Sequence, residues 1–557
     1  MDFRPHWRGR ERFVIFDSKC DGGAALFEAW RADPQRPKRL HVIALAAGEL
    51  PGFQRVLQED DAVTLDLLHA PMEAALAQLS ARIDAVVLHG GEGEGFARPL
   101  SRLLARDAVL WSEGLSDDQI AELSSTGWKN GVRSAGPDPD VGDSGVRSGG
   151  PDPICWTAHF ATRKPIPPAP PEPERRAIVI GAGLAGAAAC ERLCARGWQV
   201  TLVERHAEPA MEASGNLAGI TMPLLSKDDN VASRLSRAAF LFARDYWSRL
   251  GGVGAAIDGA TCGVLLAAKD AANAGLQRAI AAARQFPPGY AQWLEPGSRF
   301  GALAPHGAWL FPQGGWIRPA SACRAMLGAC GPRLKAHFGA GSVSLERDGD
   351  AWRVRGADGQ EIARAPIVIV AAGAGQLAQT AALPLDRVRG QVTHLAPEAL
   401  PDLGLVLCRE AYVTPVSGGV KSAGASYDDD DDPALRASSQ LENLDKVRSM
   451  LADPELAQDA PLAGRVGFRS VAPDRLPLVG ALPEPDFALG AERLRELPRQ
   501  PGLYGLLGYA SRGLTWAPLA AELLAAALEH EPLPLEAKLA EALDPGRFLL
   551  RARRGGS

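Results

Sequence analysis

The stretch AIVIGAGLAGAAACERLCARGWQVTLVE, residues 177–204, constrains the fold of this 557-residue chain more than any other part. It combines a hydrophobic strand, three glycines at GxGxxG spacing, an alanine-rich helix and a second strand that ends on Glu204. The glycines are Gly181, Gly183 and Gly186. In such a unit the glycines permit a tight turn and a close backbone approach, and the helix N-terminus attracts phosphate. We therefore expect a dinucleotide site in which Glu204 accepts hydrogen bonds from ribose hydroxyls.

Composition excludes several other classes of protein. The net charge of −6 gives no global basic signature for nucleic acid, although a local basic patch is compatible with it. The eight cysteines are scattered without a CxxC pair, and His89 has no His or Cys partner at ligand spacing, so no metal site is expected. The charged N-terminus and the lack of a long apolar run predict neither a signal peptide nor a membrane span, and we expect a cytoplasmic protein.

The chain divides at a proline-rich linker, residues 163–175. Residues 1–162 alternate short apolar strands with helical stretches, which is typical of a doubly wound α/β domain. Within them, the tandem repeat at 131–153 (GVRSAGPDP, then GVRSGGPDP) is predicted to be a flexible insertion without a binding role. Residues 176–549 are predicted to form one large two-layer domain.

Two further glycine-rich segments follow hydrophobic stretches in this second part. Gly373 comes after an apolar run at 366–370, where small residues let the backbone pass close to a cofactor. Gly508, Ser511 and Gly513 precede an apolar helix whose N-terminus can face an anionic group. The five aspartates at 428–432 are interpreted as a solvated loop, with metal binding as a weaker alternative.

Several strings resemble one family of flavoproteins. ASGNLAGITMPLLSKDD, FPQGGWIRP, GVKSAGASY and GYASRGLTWAPLAAELLA look like the FAD domain of the MnmC family, within the D-amino-acid-oxidase and glycine-oxidase superfamily. The Gly390-Gln391 step and the Pro473-Asp474 segment resemble the same superfamily. The likeness runs from about residue 176 to about residue 549.

The resemblance implies a fold, a cofactor and a reaction. The fold is α/β: a Rossmann-like methyltransferase-type N-terminal domain, then a two-layer FAD-binding domain with a mixed-sheet substrate subdomain. The implied activity is FAD-dependent oxidation of the carboxymethylaminomethyl group on tRNA wobble uridine, giving aminomethyl-uridine and glyoxylate. Molecular oxygen or another acceptor would reoxidise the flavin. The oligomeric state is not predicted.

The resemblance also implies site residues. Arg469 matches the position that binds the substrate carboxylate in glycine-oxidase relatives, with a structural salt bridge as the alternative. Tyr412 is a candidate for the flavin face or the carboxylate, with a packed core tyrosine as the equal alternative. Arg512 is a candidate for stabilising the reduced flavin. Ser214 and Asn216 belong to the cofactor-binding motif.

The N-terminal domain departs from the family pattern at three cofactor-facing places. In MnmC this domain is a methyltransferase that uses S-adenosylmethionine. Here the first loop keeps Asp17 and Gly23 but carries charged or bulky residues where small ones belong, the second strand lacks its terminal acid, and a histidine replaces an aspartate in the third turn. The departing residues are Lys19, Cys20, Asp21, Ala46, Ala47 and His89. We therefore hypothesise a degenerate methyltransferase domain, and S-adenosylmethionine is not expected as a cofactor.

Two functions with different classes of substrate remain open at this point. The first is a tRNA-modifying FAD oxidoreductase, which needs an open cleft. The second is a small-molecule glycine, amine or imino-acid oxidase with an inert N-terminal domain, which needs a closed pocket. A flavin-bound scaffold without activity is a third alternative, and it requires Arg469 or Arg512 to face away from the cofactor.

Overall fold

A computed structural model describes residues 2–19, 23–91, 93–135, 154–161, 174–373, 375, 377–485 and 492–554 of the chain. The chain divides into two compact units. The first comprises Met1–Glu172 with Ala526–Lys538, and the second comprises Pro173–Ala525 with Leu539–Ser557. In the described part, every helix is too short or too polar to cross a membrane.

The first unit is built on one eight-stranded sheet. Its strands are β1 (Arg12–Asp17), β2 (Arg39–Leu45), β3 (Gly52–Gln58), β4 (Val63–His69), β5 (Ile83–Leu88), β6 (Leu104–Glu113), β7 (Trp128–Ala135) and β8 (Ile154–Phe160). Its helices are α1 (Arg4–Trp7), α2 (Ala24–Ala32), α3 (Met72–Gln78), α4 (Ala97–Ser101) and α5 (Asp117–Thr126). An N-terminal α/β domain is thereby confirmed.

The strand order is β3-β4-β2-β1-β5-β6-β8-β7. Strands β4, β2, β1, β5 and β6 run parallel, whereas β3, β8 and β7 each pair antiparallel with a neighbour. The order reverses between β1 and β5, and in open parallel sheets ligands bind at the carboxyl ends of the strands beside such a switch point.

Both faces of this sheet are buried, because successive side chains of a strand point to opposite faces. Val14 and Phe16 of β1 enter one hydrophobic cluster with Leu110. Phe13 and Ile15 enter the other cluster. This burial explains why β1 is hydrophobic throughout rather than alternating.

Two sequence-based boundaries differ from the structure. Residues 131–135, assigned by sequence to the insertion, form the end of β7 because their backbone pairs with β8. Residues 136–153 and 162–173 lie outside the described residues. Residues 526–538, assigned by sequence to the second domain, belong to the first unit: Arg55 donates to the Pro532 carbonyl (2.6 Å), and the Leu533 amide donates to the Ser80 carbonyl (3.0 Å).

The elements of the second unit come from residues 174–525 and 539–554. The strands are β9 (Arg176–Ile180), β10 (Gln199–Val203), β11 (Gly219–Thr221), β12 (Gly259–Ala260), β13 (Val264–Ala267), β14 (Gln292–Leu294), β15 (Ala308–Phe311), β16 (Gly315–Ile317), β17 (Leu334–His337), β18 (Val343–Asp348), β19 (Ala351–Gly356), β20 (Glu361–Ala365), β21 (Ile367–Val370), β22 (Asp386–Leu395), β23 (Val406–Cys408), β24 (Tyr412–Ser417), β25 (Val420–Gly424), β26 (Ala463–Val471), β27 (Leu478–Pro483) and β28 (Arg499–Leu507). The helices are α6 (Leu184–Cys194), α7 (Val231–Arg249), α8 (Ala271–Arg284), α9 (Pro319–Ala329), α10 (Ala437–Leu451), α11 (Gly513–Leu528), α12 (Ala537–Glu541) and α13 (Arg547–Arg554). The end of α11 and the start of α12 belong to the first unit.

Two large sheets organise this unit. The first has the order β17-β10-β9-β21-β28-β27 and is parallel except for β27. The second has the order β14-β15-β13-β23-β24-β25-β22-β26 and is antiparallel except where β13 meets β23. Helix α6 follows β9 and α11 follows β28, so both begin at the carboxyl edge of the parallel sheet.

A buried ion pair joins these two helical segments. Arg196, just after α6, donates two hydrogen bonds to Glu522 of α11 (2.7 and 3.0 Å), and both side chains are almost fully buried. Arg192 lies 3.7 Å from the same carboxylate. The pair therefore fixes the two helices against each other.

We expect Glu522→Ala to lower the free energy of unfolding by about 3–5 kcal/mol, because it leaves buried guanidinium charge without its carboxylate. Urea unfolding followed by tryptophan fluorescence measures this, since Trp198 is fully buried beside Arg196. The control is Glu541→Ala, an exposed residue whose loss should cost less than about 0.5 kcal/mol. Equal midpoints for the two variants would contradict the prediction.

Candidate functional site

One cavity of about 410 Å³ in the second unit is lined by strands of the second large sheet, by loops at the carboxyl edge of the parallel sheet, and by the starts of α6 and α11. Leu184 and Ala185 of α6 line it, and so do Gly513 and Leu514 of α11. Helix N-termini carry partial positive charge and unpaired N–H groups. Two of them at one cavity make a site suited to an anionic group.

The GxGxxG turn leads into this cavity. Gly181 has φ of +104°, and a Cβ there would lie 2.6 Å from the Ala371 carbonyl oxygen. A Cβ at Gly186 would lie 1.8 Å from the Gly181 oxygen, so only glycine lets α6 pack on this turn. Gly183 lines the cavity, and a Cβ there would lie 3.1 Å from Ser214 Oγ. The missing side chain at Gly183 leaves the space that a pyrophosphate needs.

Glu204 lies at the end of β10 and is buried. Its carboxylate accepts hydrogen bonds from the amides of Ala182 (2.6 Å) and His206 (2.9 Å). These contacts hold the acid against the glycine turn, where it can also meet the hydroxyls of a ribose. Together with the two helix N-termini and the opening at Gly183, this donor and acceptor set fits a dinucleotide.

The loop that carries Ser214 and Asn216 is held by Arg465. Ser214 Oγ accepts a hydrogen bond from the first amide of α6, that of Leu184 (3.1 Å). Arg465 donates to Asn216 Oδ1 (3.2 Å) and to the carbonyls of Met211 (2.8 Å) and Glu212. Burial lowers the pKa of Arg465. No sequence motif had pointed to Arg465.

The predicted cofactor residues divide into two groups in the structure. Five do not line the cavity: Gly181, Gly186, Glu204, Gly373 and Gly508. Gly373 and Gly508 have φ of +59° and +72°, a backbone conformation that favours glycine. The other six line the cavity: Gly183, Ser214, Asn216, Ser511, Arg512 and Gly513.

Arg469 on β26 reaches the opposite side of the cavity. Its guanidinium makes long hydrogen bonds to the carbonyls of Arg389 (3.5 Å) and Ser426 (3.4 Å), and it lies over the Tyr427 ring, 4.3 Å from the centroid. A Cβ at Gly390 would lie 2.1 Å from Arg469 Nη1, so glycine makes room for the guanidinium. In the part of the chain that the structure describes, no carboxylate forms an ion pair with Arg469, which disfavours the salt-bridge alternative.

Tyr412 also lines the cavity. Burial raises the pKa of its hydroxyl to about 12, although the nearby Arg469 charge opposes this increase. Tyr412 therefore keeps its proton at physiological pH and can donate a hydrogen bond.

Arg512 is the second guanidinium at the cavity. It donates to the Met222 carbonyl (3.1 Å), and no ion pair with a carboxylate is found for it among the described residues. Burial lowers the pKa of Arg512, and Cys408 and Tyr427 lie close enough to oppose that decrease. Arg469 and Arg512 both line the cavity. The inactive-scaffold alternative requires one of them to face away from the cofactor, so this arrangement disfavours it.

Two further residues of this cluster had a sequence signal without a predicted role. Gly390 stands in the Gly390-Gln391 step, and Tyr427 ends the string GVKSAGASY. Both line the cavity beside Arg469. Both contact Arg469, which is remote from them in sequence, so spacing along the chain does not reveal these contacts.

The acidic run 428–432 lies at the surface, and four of its five aspartates pair with arginines. Arg389 pairs with Asp428 (2.8 Å), Arg387 with Asp431 (3.0 Å), and Arg436 with both Asp430 (2.8 Å) and Asp432 (2.9 Å). These partners neutralise most of the run, and among the described residues no group of acids, histidines and cysteines is arranged to hold a metal ion.

At the switch point of the first unit, a polar contact joins the ends of β1 and β5. His89 Nε2 lies 2.9 Å from Asp17 Oδ1, and the His89 amide donates to Ser18 Oγ (3.0 Å). At the end of β2 the Ala46 carbonyl contacts the His69 ring (3.1 Å). Cys20 and Asp21 lie outside the described residues.

Comparison with known proteins defines the class. Residues 176–527 match the family DAO, FAD dependent oxidoreductases. Because the match covers well over half of the chain, the protein is an FAD dependent oxidoreductase, as the sequence predicted.

The chain belongs, more narrowly, to the MnmC family. It is 40% identical to the tRNA 5-methylaminomethyl-2-thiouridine biosynthesis bifunctional protein MnmC of Azoarcus sp. (strain BH72), over 98% of this chain and 92% of the relative. It is 39% identical to the protein of the same name from Paraburkholderia phytofirmans, over 99% of this chain and 92% of the relative. The resemblance to the MnmC family that the sequence motifs indicated is confirmed.

Solved structures match the second part of the chain. Iminodiacetate oxidase from Chelativorans sp. BNC1 is 25% identical, with a TM-score of 0.52 over 64% of this chain and 96% of that structure. Glycine oxidase from Geobacillus kaustophilus is 21% identical, with a TM-score of 0.53 over 67% of this chain and 99% of that structure. The glycine oxidase match shows the shared fold alone.

We expect Gly186→Ala to yield protein with little bound FAD, because its Cβ would collide with the Gly181 carbonyl and displace α6 from the turn. The absorbance ratio of flavin to protein after purification measures this. The control is Gly275→Ala on α8, where an added Cβ meets no atom within 4 Å and full FAD content is expected. Full flavin content in Gly186→Ala would show that the turn tolerates the displacement.

Proposed function

We propose that this protein oxidises the carboxymethylaminomethyl group of tRNA wobble uridine, giving aminomethyl-uridine and glyoxylate. The observation that carries the proposal is Arg469, a guanidinium without a carboxylate partner among the described residues, in the same cavity as the dinucleotide-binding turn. The curated relatives, aligned along nearly the whole chain, are named for tRNA 5-methylaminomethyl-2-thiouridine biosynthesis.

The substrate is a secondary amine that carries an N-carboxymethyl group. FAD, when bound, supplies the two-electron oxidation. The methylene between nitrogen and carboxylate loses two electrons and a proton to become an imine carbon. Water then adds to that carbon, and the C–N bond breaks, leaving the amine on the uridine side and the aldehyde in glyoxylate. Oxygen or another acceptor takes the electrons in the end.

The side chains at the cavity orient this arm. Arg469 presents a planar fork that matches a carboxylate through two parallel hydrogen bonds. Tyr412, which stays protonated, can donate a third hydrogen bond to the same group. Arg512 places positive charge at the side of the cavity that the α11 N-terminus also faces, where reduced flavin would need it.

A small-molecule oxidase is the second candidate. Iminodiacetate, the compound for which the 25% identical oxidase is named, is also a secondary amine with N-carboxymethyl groups. The small-molecule candidate needs a closed pocket, whereas the ring of Tyr427 beside Arg469 is 65% exposed. That exposure favours a large substrate whose bulk stays outside the cavity.

We also propose that the first unit is a degenerate methyltransferase domain that does not use S-adenosylmethionine. The contact between Asp17 and His89 occupies the carboxyl edge at the β1–β5 switch point, where a ligand of such a sheet would bind. Ala46 stands where the family pattern has an acid that would bind ribose hydroxyls. An alanine side chain has no hydrogen-bond acceptor, so only the backbone carbonyl remains. Residues 1–162 together with 526–538 are the proposed extent of this domain, with 163–175 as linker and the rest of 176–549 as oxidoreductase.

One assay tests both proposals. The FAD-loaded protein is incubated with tRNA that carries carboxymethylaminomethyl-uridine, with and without S-adenosylmethionine. The nucleosides are then identified by mass spectrometry. We expect aminomethyl-uridine and glyoxylate in both reactions. Methylaminomethyl-uridine formed only with S-adenosylmethionine would refute the degenerate domain and leave the oxidase intact. Unchanged tRNA would favour the small-molecule candidate.

Two substitutions test Arg469 in the same assay. Arg469→Lys removes the planar fork, and Gly390→Ala displaces it by steric conflict with Nη1, so we expect each to lower kcat/KM by about 100-fold. FAD content should stay near that of the wild type, because neither residue belongs to the proposed FAD-binding turn. The control is Arg364→Lys, a half-exposed residue on β20 that should leave kcat/KM unchanged. Normal kcat/KM in both site variants would remove Arg469 from the mechanism.

A further inference from the structure

Tyr427 is an exposed aromatic residue that lines the cavity beside Arg469. Its side chain is 65% exposed, whereas Phe338, another exposed aromatic in the described part of the chain, reaches 39%. An exposed aromatic ring at the mouth of a cavity is free to pack against a ligand, and aromatic rings bury a large area when they do. The ring is therefore a candidate contact for a part of the substrate that lies outside the cavity.

The backbone around Tyr427 is fixed although its ring is exposed. Asp428 and Arg389 exchange two backbone hydrogen bonds (3.0 and 3.1 Å), and the Ser426 amide donates to the Gln391 carbonyl (3.1 Å). Ser426 Oγ donates to Asp428 (2.8 Å). Because the chain is held on both sides of Tyr427, its ring is preorganised and binding would cost little conformational entropy.

The contact with Arg469 sets where the ring lies relative to the substrate. The guanidinium carbon of Arg469 is 4.3 Å from the centroid of the Tyr427 ring. If Arg469 holds the carboxylate of the arm, only a methylene, an amine and a second methylene separate that carboxylate from the uracil ring. A uracil on so short an arm must lie close to Tyr427.

We propose that Tyr427 stacks on the nucleobase that carries the oxidised arm, and so selects a base-linked arm over a free small amine. The inference rests on the proposed function, since it takes the tRNA arm as the substrate. Aromatic side chains bind unpaired bases by stacking, and every base offers a face for it. Arg469 would then bind the carboxylate at the end of the arm, and Tyr427 would stack on the uracil ring that carries the arm.

The alternative role for Tyr427 is to hold Arg469 in place. The two roles differ in which ligands they affect. Loss of Arg469 positioning weakens every ligand with the carboxylate, with or without a base. Loss of stacking weakens only the ligand that has a base.

The test titrates the FAD-loaded wild type, Tyr427→Phe and Tyr427→Leu with two probes, following the flavin absorbance. One probe is the nucleoside 5-carboxymethylaminomethyl-uridine, and the other is N-methylglycine, which has the amine and carboxylate without the base. We expect Tyr427→Leu to weaken nucleoside binding by roughly 5- to 100-fold, the loss typical of one base–aromatic stack. N-methylglycine binding should change by less than about twofold, and Tyr427→Phe should bind both probes like the wild type, because the stacking face is retained.

Equal weakening of both probes by Tyr427→Leu would assign the residue to Arg469 positioning, and unchanged nucleoside binding would exclude the stack; either result overturns the inference. If N-methylglycine produces no spectral change with the wild type, steady-state kinetics on tRNA decide. A raised KM at constant kcat supports stacking, whereas a lowered kcat at constant KM overturns it. A wild type that binds N-methylglycine but not the nucleoside would refute the proposed function itself.

Discussion

The buried guanidinium of Arg389 is the interaction on which the substrate side of the site depends. It bonds the Asp428 carboxylate (2.8 Å), the carbonyls of Asp432 (2.7 Å) and Ala434 (2.6 Å), and the Gln391 side chain (3.0 Å). A charge with no exposure needs such acceptors, because each unmet donor would cost free energy. The acidic run is thus a set of partners for buried or half-buried arginines, and it attaches the segment after β25 to β22.

That attachment sets the surroundings of Arg469, the residue proposed to bind the carboxylate of the arm. Gly390 follows Arg389 on β22 and leaves the space that the Arg469 guanidinium occupies. Ser426, tied to Asp428, offers its carbonyl to the same guanidinium, and Tyr427 covers it with its ring. The Arg469 guanidinium is therefore oriented by two long hydrogen bonds and a ring contact, which leave it able to bind a carboxylate under the proposed function.

The sequence predicted the fold of the cofactor side better than that of the substrate side, and the reason is physical. Gly181, Gly183 and Gly186 act within one strand–turn–helix unit, so spacing along the chain carries their geometry. Arg465 and Tyr427 act through residues that are remote in sequence, and no local pattern encodes such pairings. The acidic run lies at the surface, but its pairing with arginines was not predicted for the same reason: those partners lie before it on β22 and after it near α10. Likewise, residues 526–538 join the first unit through Arg55 and Ser80, which are remote in sequence.

The hydrophobic clusters of the first unit do not depend on a ligand at its switch point. The two clusters lie on the faces of the sheet and draw on the strand interiors, such as Phe13 and Val14 of β1. Asp17 and His89 lie at the carboxyl edge and contribute to neither cluster. Substitutions at that edge change what the sheet can bind while the burial that stabilises it stays intact. The proposed loss of a cofactor site would therefore need only a few loop changes, and the contact of His89 with Asp17 (2.9 Å) would persist at that edge.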